Sequence, residues 1–324
     1  MLSRIADSLY WMSRYLERAN NASRLVGINL VHLVEAEDSI SEAGQWRPLL
    51  SIAGLESTYA ELYPGEEIRG ERVINLLTRE ASYAHSILNC LRQARENARL
   101  VRDRLSKEMW ECMNEMWLRL NVRLRGPLPL EEWPEFHKSV RNGVALFHGL
   151  TVSTMMRGEG FDYVQLGTFL ERADMTARIL DVRYHLLLPD LSMVGSPLDY
   201  YQWAALLKSL SGFEAYRRKV HAGFRPIDVA EFVIFERDFP RSLRYSVERI
   251  YSSLQSLGAS TLQQASFALV GNLLEEWNHI SIQEIFFEKG LHEFLQDFLK
   301  SASELHFALS KDFFTTYVSE LECG

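Results

Sequence analysis

What this sequence lacks narrows it first. Only three cysteines occur in 324 residues, Cys90, Cys112 and Cys323. They are odd in number and far apart, and no Cys-x-x-Cys occurs. Neither a zinc knuckle nor a dithiol redox motif is expected, and free thiols in a reducing compartment are the plain expectation. No unbroken apolar run of about 18 residues is present, so no segment is expected to cross a membrane. The first residues run straight into an amphipathic pattern interrupted by Arg4, Asp7, Arg14, Glu17 and Arg18, unlike the apolar stretch of a secretory signal. A cytoplasmic location follows as an expectation. Positive charge is also in deficit: Lys plus Arg total 35 against 43 Asp plus Glu, a formal net charge of −8. General nucleic-acid binding needs clustered cations that displace counterions from phosphate, and this balance argues against it. A local basic cleft on an acidic body remains compatible with it.

Motifs of familiar chemistry are missing too. There is no Gly-x-x-x-x-Gly-Lys-Ser/Thr, Gly-x-Gly-x-x-Gly, Gly-x-Ser-x-Gly or His-Glu-x-x-His. A phosphate loop, a hydrolase elbow and a zincin helix are therefore not expected. Glu276 and His279 form one Glu-x-x-His, but a di-iron bundle needs two of these and two more helix-borne carboxylates. Neither a metal nor a cofactor is implied, and no catalytic residue can be named.

What is present is helical periodicity. Glycine and proline, the strongest punctuators, are absent from Glu71 to Arg125. Leu77, Ala84, Leu91, Ala98, Leu105 and Cys112 recur every seven residues there, which places them on one helical stripe. A single helix of that length would reach roughly 80 Å, more than a compact domain of this size spans, so at least one break is expected. Other breaks are expected at Pro64-Gly65, Gly126 to Pro129, Gly158 to Gly160, Pro189, Gly195-Ser196-Pro197, Gly223 to Pro226 and Gly258. No convincing run of alternating β-branched residues lies between them. The fold class is all-α.

An internal repeat organises these helices. Tyr15 to Val26 (YLERANNASRLV) matches Phe169 to Leu180 (FLERADMTARIL), with Glu17 and Glu171 154 positions apart. Gln45-Trp46 with Leu49-Leu50 and Gly54-Leu55-Glu56 is echoed by Gln202-Trp203, Leu206-Leu207 and Gly212-Phe213-Glu214. A weaker third block aligns Val73–Leu91 with Val229–Val247, including Glu80 with Glu236 and Ser86 with Ser242. The expectation is a multi-helix bundle of two pseudo-symmetric repeats, 1–155 and 156–324, packed as one compact domain with equivalent helices facing each other.

Each copy carries Leu-Glu-Arg-Ala. Sequence neighbours on a helix point about 100° apart, so Glu17 and Arg18 should not bond each other, nor Glu171 and Arg172. In the first copy Arg14, Glu17, Arg18, Asn21 and Arg24 form one polar arc, compatible with a solvated face. In the second, Val164, Met175 and Ile179 share the arc of Glu171 and Arg172, so those charges should be paired. Three readings stay open: a buried ion-pair network, a polar cleft whose arginines clamp carboxylate or phosphate, and an ordinary surface. Pro240-Arg241-Ser242, after Glu236, Arg237 and Asp238, is read as a helix start with Pro240 in the first turn, where free N–H groups could hold an anion. Trp11, Trp46, Trp110 and Trp203 are read as core, and Arg95, Glu96 and Arg99 as a solvated helix face.

The opening Leu2 to Ala19 (LSRIADSLYWMSRYLERA) resembles the start of the bacterial alpha-E proteins, a helical family named for its Glu-Arg motif. So do Ala94 to Arg99 with Trp110-Glu111 and Asn114, the stretch Arg157 to Arg178, and Phe239 to Ser242. Asn20 departs from the acidic residue expected there, as at Asp174. The resemblance implies a context: the family accompanies circularly permuted ATP-grasp-like ligases and often transglutaminase-like peptidases. The function it implies is an accessory helical component of a peptide- or amide-forming or peptide-modifying system. That component would offer a cleft to a substrate or partner, with Glu17, Arg18, Arg24, Glu171, Arg172, Arg178, Arg157, Arg241 and Ser242 as candidate residues. The alternatives are a stand-alone enzyme with a glutamate as general base, and a structural protein in which the motifs are an ion-pair network.

Overall fold

The computed structural model describes residues 1–35, 41–187, 197–221, 223–261 and 263–315. Cys323, Pro189, Gly195 and Ser196 lie outside the described residues. Fifteen helices follow in order: α1 (Ser3–Glu35), α2 (Glu42–Ala53), α3 (Glu56–Leu62), α4 (Gly70–Thr78), α5 (Ile87–Leu100), α6 (Lys107–Arg123), α7 (Trp133–Thr154), α8 (Glu159–Leu187), α9 (Pro197–Ser209), α10 (Phe213–Lys219), α11 (Pro226–Phe235), α12 (Leu243–Ser256), α13 (Ala265–His279), α14 (Ile282–Glu284) and α15 (Leu291–Leu309). No strand occurs among the described residues. The protein is all-α.

The long helices α1 and α8 lie side by side at the centre. α5 and α7 pack on α1, while α12 and α15 pack on α8. The two central helices run in the same direction, since Met1 meets Glu159 at their starts and Glu17 meets Arg172 farther along. Both α5 and α12 have 14 residues, and both begin at a serine N-cap, Ser86 and Ser242. Each serine hydroxyl accepts an N–H that the first helical turn leaves without a partner, from Asn89 and from Tyr245. Trp46 and Trp203 are buried in the core, whereas Trp11 and Trp110 pack partly buried against it.

The glycine-free run from 71 to 125 is divided twice, between α4 and α5 and between α5 and α6. Serines rather than glycine or proline make these breaks: Ser86 and Ser106 hold extended backbone and cap the helices that follow. Their side chains compete with the helix for backbone donors. The seven-residue stripe therefore does not lie on one helix. Leu77 belongs to α4, Leu91 and Ala98 to α5, Cys112 to α6, and Ala84 is exposed in the connection.

Candidate functional site

In the seam between α1 and α8, Gly167 faces Tyr10 and Ser13. A Cβ on Gly167 would overlap the Tyr10 carbonyl oxygen and the Ser13 hydroxyl, so the helices approach there because that side chain is missing. One turn farther on, the two Leu-Glu-Arg-Ala segments meet. Arg18 forks onto Glu171, Nε to Oε1 at 2.5 Å and Nη2 to Oε2 at 2.8 Å, and Arg14 Nε reaches Oε2 at 2.9 Å. Arg172 forks onto Glu17 with two contacts of 3.2 Å, and Arg241 Nη2 lies 2.9 Å from Glu17 Oε1. His148 Nε2 of α7 completes that set, 3.1 Å from Oε2. Each motif's arginine engages the other motif's glutamate, as expected when neighbours on one helix diverge by about 100°.

Glu17 is 0% exposed and Glu171 1%, so of the readings left open for the first copy the solvated face is excluded. Burial by itself raises a carboxyl pKa, and in both residues the surrounding cations outweigh it. Against burial, Arg172, Arg241 and His148 hold Glu17 well below the usual carboxylate range, and Arg18 and Arg14 do the same to Glu171. A general base works best with a pKa near the operating pH, so neither glutamate suits that role. The pairs are planar, charge-assisted forks of the strong kind.

The remaining candidates divide among different places. Beyond Glu171, Arg18 Nη1 lies 2.9 Å from His85 Nδ1. Arg18, Glu171, Tyr83 and His85 line a cleft of about 250 Å³ with Asp174 and Arg178, and Arg178 forks onto Asp174 at 2.8 and 3.2 Å. Arg24 is not in this cleft; it faces another one and donates to the Ser211 hydroxyl. Arg241 is buried against Glu17 and donates to Asn21 Oδ1 at 3.0 Å. Ser242 is the N-cap of α12, and its hydroxyl also donates to the Glu236 carbonyl at 2.5 Å. Pro240 precedes that cap and so does not occupy the first turn of the helix; its carbonyl accepts from Arg172 at 3.2 Å. Arg157 stands apart, donating to the Val152 carbonyl and lying 4.0 Å from the Phe161 ring centroid.

Two of the cations that hold the motif glutamates, Arg14 and His148, were missed as site residues. Arg14 was legible as a third member of the polar arc, since it precedes Glu17 by three residues and Arg18 by four. His148 carried no local signal, because only packing of α7 on α1 brings it to Glu17. Elsewhere, Arg95 joins Glu96 at 2.9 Å and Asn114 at 2.8 Å, and lies 5.8 Å from the Trp110 ring centroid. His279 contacts Glu275 on the surface at 3.1 Å. Among the described residues no three His, Cys, Asp or Glu side chains are grouped to hold a metal ion. No described helix is long and apolar enough to cross a membrane.

Comparison with known proteins places these features. Residues 1–314 match the Alpha-E family, described as a predicted alpha-helical domain with a conserved ER motif. An uncharacterized protein of Mycobacterium bovis is 24% identical over 273 residues, which is 80% of this chain and 30% of that protein. An uncharacterized protein of Mycobacterium tuberculosis strain H37Rv is 23% identical over the same length and shares. The chain thus spans about 30% of the length of the curated relatives it matches. No solved structure matches.

Proposed function

Because the chain belongs to the Alpha-E family, we propose that it is an accessory helical component of an ATP-grasp-associated peptide- or amide-forming system. In this reading it offers the cleft of Arg18, Asp174 and Arg178 to an acidic or peptide-like substrate, or to the partner protein. A circularly permuted ATP-grasp-like protein is the proposed partner, with a transglutaminase-like peptidase as a second component, in the cytoplasm. We also take 1–155 and 156–324 as copies of one unit.

One observation carries the binding role. The Arg18–Glu171 pair is buried on one side and forms the wall of an open cleft on the other, beside a second Arg–carboxylate pair. A cation already fixed by a buried carboxylate loses little side-chain freedom when it meets a ligand. Leu25, Ile52 and Leu77 give the same cleft an apolar side, which suits a ligand with both charged and aliphatic parts. The role of a stand-alone enzyme with a glutamate base loses ground, because both motif glutamates are held ionised. The ion-pair network is favoured as the structural part of the same device: it closes the seam and fixes the cleft wall.

Co-expression of the tagged chain with an ATP-grasp-like protein from the same genome tests this reading. Co-elution in fixed stoichiometry, weakened in Arg178→Glu with its helical circular dichroism intact, is the expected result. Separate elution of the two proteins, or equal capture by the folded variant, would reject it.

A further inference from the structure

A second cleft, sharing no residue with the first, gathers three cations against a single carboxylate, Glu214, with which none of them pairs among the described residues. Arg24 of α1, Arg141 of α7 and Lys208 of α9 face a space of about 500 Å³, with Ser211, Phe213 and Glu214 on its walls. Among the described residues none of the three cations forms an ion pair. Arg24 spends one N–H on the Ser211 hydroxyl, while its Nε is buried without a partner. Arg141 donates to the Ser23 carbonyl at 3.3 Å. Its guanidinium lies where a Cβ on Gly27 would stand, so a glycine in α1 seats this arginine beside Arg24.

The reason Arg24 is free can be seen by comparing it with Arg178, 154 positions later. Arg178 has Asp174 four residues before it and pairs with it. The residue four before Arg24 is Asn20, which leans instead toward Glu17 Oε1 at 3.5 Å. An amide in place of a carboxylate leaves Arg24 charged and unpaired. Burial, with Arg141 and Arg172 nearby, lowers its pKa against the pull of Glu17. Like charges crowded into one partly desolvated space are costly, and a bound anion removes that cost.

We propose that the Arg24–Arg141–Lys208 cleft binds an anionic small molecule through a phosphate or carboxylate group. The arginine forks match the planar geometry of either oxyanion, Lys208 adds a third charge at the exposed rim, 5.8 Å from the Phe213 ring centroid, and Phe213 covers the apolar part of the ligand. The space exceeds what a bare inorganic ion fills, so the natural ligand carries more than its anionic group.

Calorimetric titration of the full chain at low salt, with inorganic pyrophosphate and separately with citrate, tests the site. One-to-one binding of at least one probe is expected, and the probe preferred distinguishes a phosphate from a carboxylate ligand. Arg24→Gln should weaken binding by about ten-fold or more, the worth of a hydrogen bond to a charged group. Lys208→Gln, at an exposed position, should weaken it by roughly three-fold with the fold intact. Failure of wild-type protein to bind either probe at millimolar concentration would overturn the proposal. So would wild-type affinity in Lys208→Gln together with wild-type affinity in Arg24→Gln. If Arg24→Gln does not fold, unchanged affinity in Lys208→Gln alone is decisive against it.

Discussion

The two glutamates of the repeated motif occupy equivalent places in sequence and unlike places in space. Glu171 is held by two arginines of a single helix, Arg14 and Arg18 of α1. Glu17 is held from three directions, by Arg172 of α8, Arg241 ahead of α12 and His148 of α7. The difference begins at one residue. The position 154 after Arg14 is Thr168, whose buried hydroxyl finds no partner among the described residues and which carries no charge to offer Glu17. Arg241 supplies the missing cation from another element. At the matching position before Ser86 stands His85, which meets Arg18 instead. A motif of four identical residues thus yields a two-helix clamp on one side and a four-element knot on the other. The same asymmetry continues outward, where Arg178 is neutralised and Arg24 is not.

The largest expected effect breaks the knots themselves. Glu17→Gln and Glu171→Gln each leave partly or fully buried arginines without their carboxylate, which costs about 3–5 kcal/mol. Urea denaturation should rank Glu17→Gln as the more damaging, because it unties three elements from α1. Wild-type midpoints for both, or the reverse order, would break the comparison. Acid should act on the same groups. The folded-state pKa of Glu171 is lowered from 4.5 to about 2, so the unfolded chain binds more protons in that interval. The stability this carboxylate contributes is full above its unfolded pKa and is lost as pH falls through the window toward 2. Glu171→Gln should flatten that part of the stability curve; a slope equal to wild type would show the carboxylate to be unlinked to folding.

A smaller effect sharpens the outer difference. Arg178→Gln removes a half-exposed i,i+4 pair and should lower stability by about 0.3–0.5 kcal/mol. Arg24→Gln removes no ion pair and relieves repulsion from Arg141, so thermal melting should show no loss. Asp174→Asn breaks the Asp174–Arg178 pair and should cost about as much as Arg178→Gln, while it recreates at Arg178 the situation of Arg24. It should add a second pyrophosphate site in calorimetry, and an unchanged stoichiometry would mean that an unpaired arginine is not enough.

Much of the helical framework was legible because apolar spacing is a local property. The motif copies were legible for the same reason: identical residues at one spacing need no packing to be seen. The breaks in 71–125 were less so, since Ser86 and Ser106 mark them by starting the next helix through side-chain capping, without the backbone limits of glycine or proline. The seven-residue stripe misled because residues of three helices and an exposed Ala84 fell into phase by accident. Among the candidate residues, Arg18, Glu171 and Arg178 come together at one cleft and Glu17, Arg172 and Arg241 at the buried knot behind it. Arg24, Arg157 and Ser242 go elsewhere. Nothing in the polar arc of Arg14 to Arg24 distinguished a solvated face from a buried one, because that depends on whether another helix covers it.

By itself the sequence determined that the chain is all-α, that two helices carry the same Glu-Arg pair, and that members of a pair could not bond each other. Those follow from rise, turn angle and side-chain chemistry along one chain. Only the tertiary structure decided that α1 and α8 run alongside each other in the same direction, that Gly167 lets them close, and that each arginine reaches the other helix's glutamate. An ion pair between helices depends on direction, register and reach across a gap, and distant residues such as His148 and Arg241 enter it only once packing has set all three.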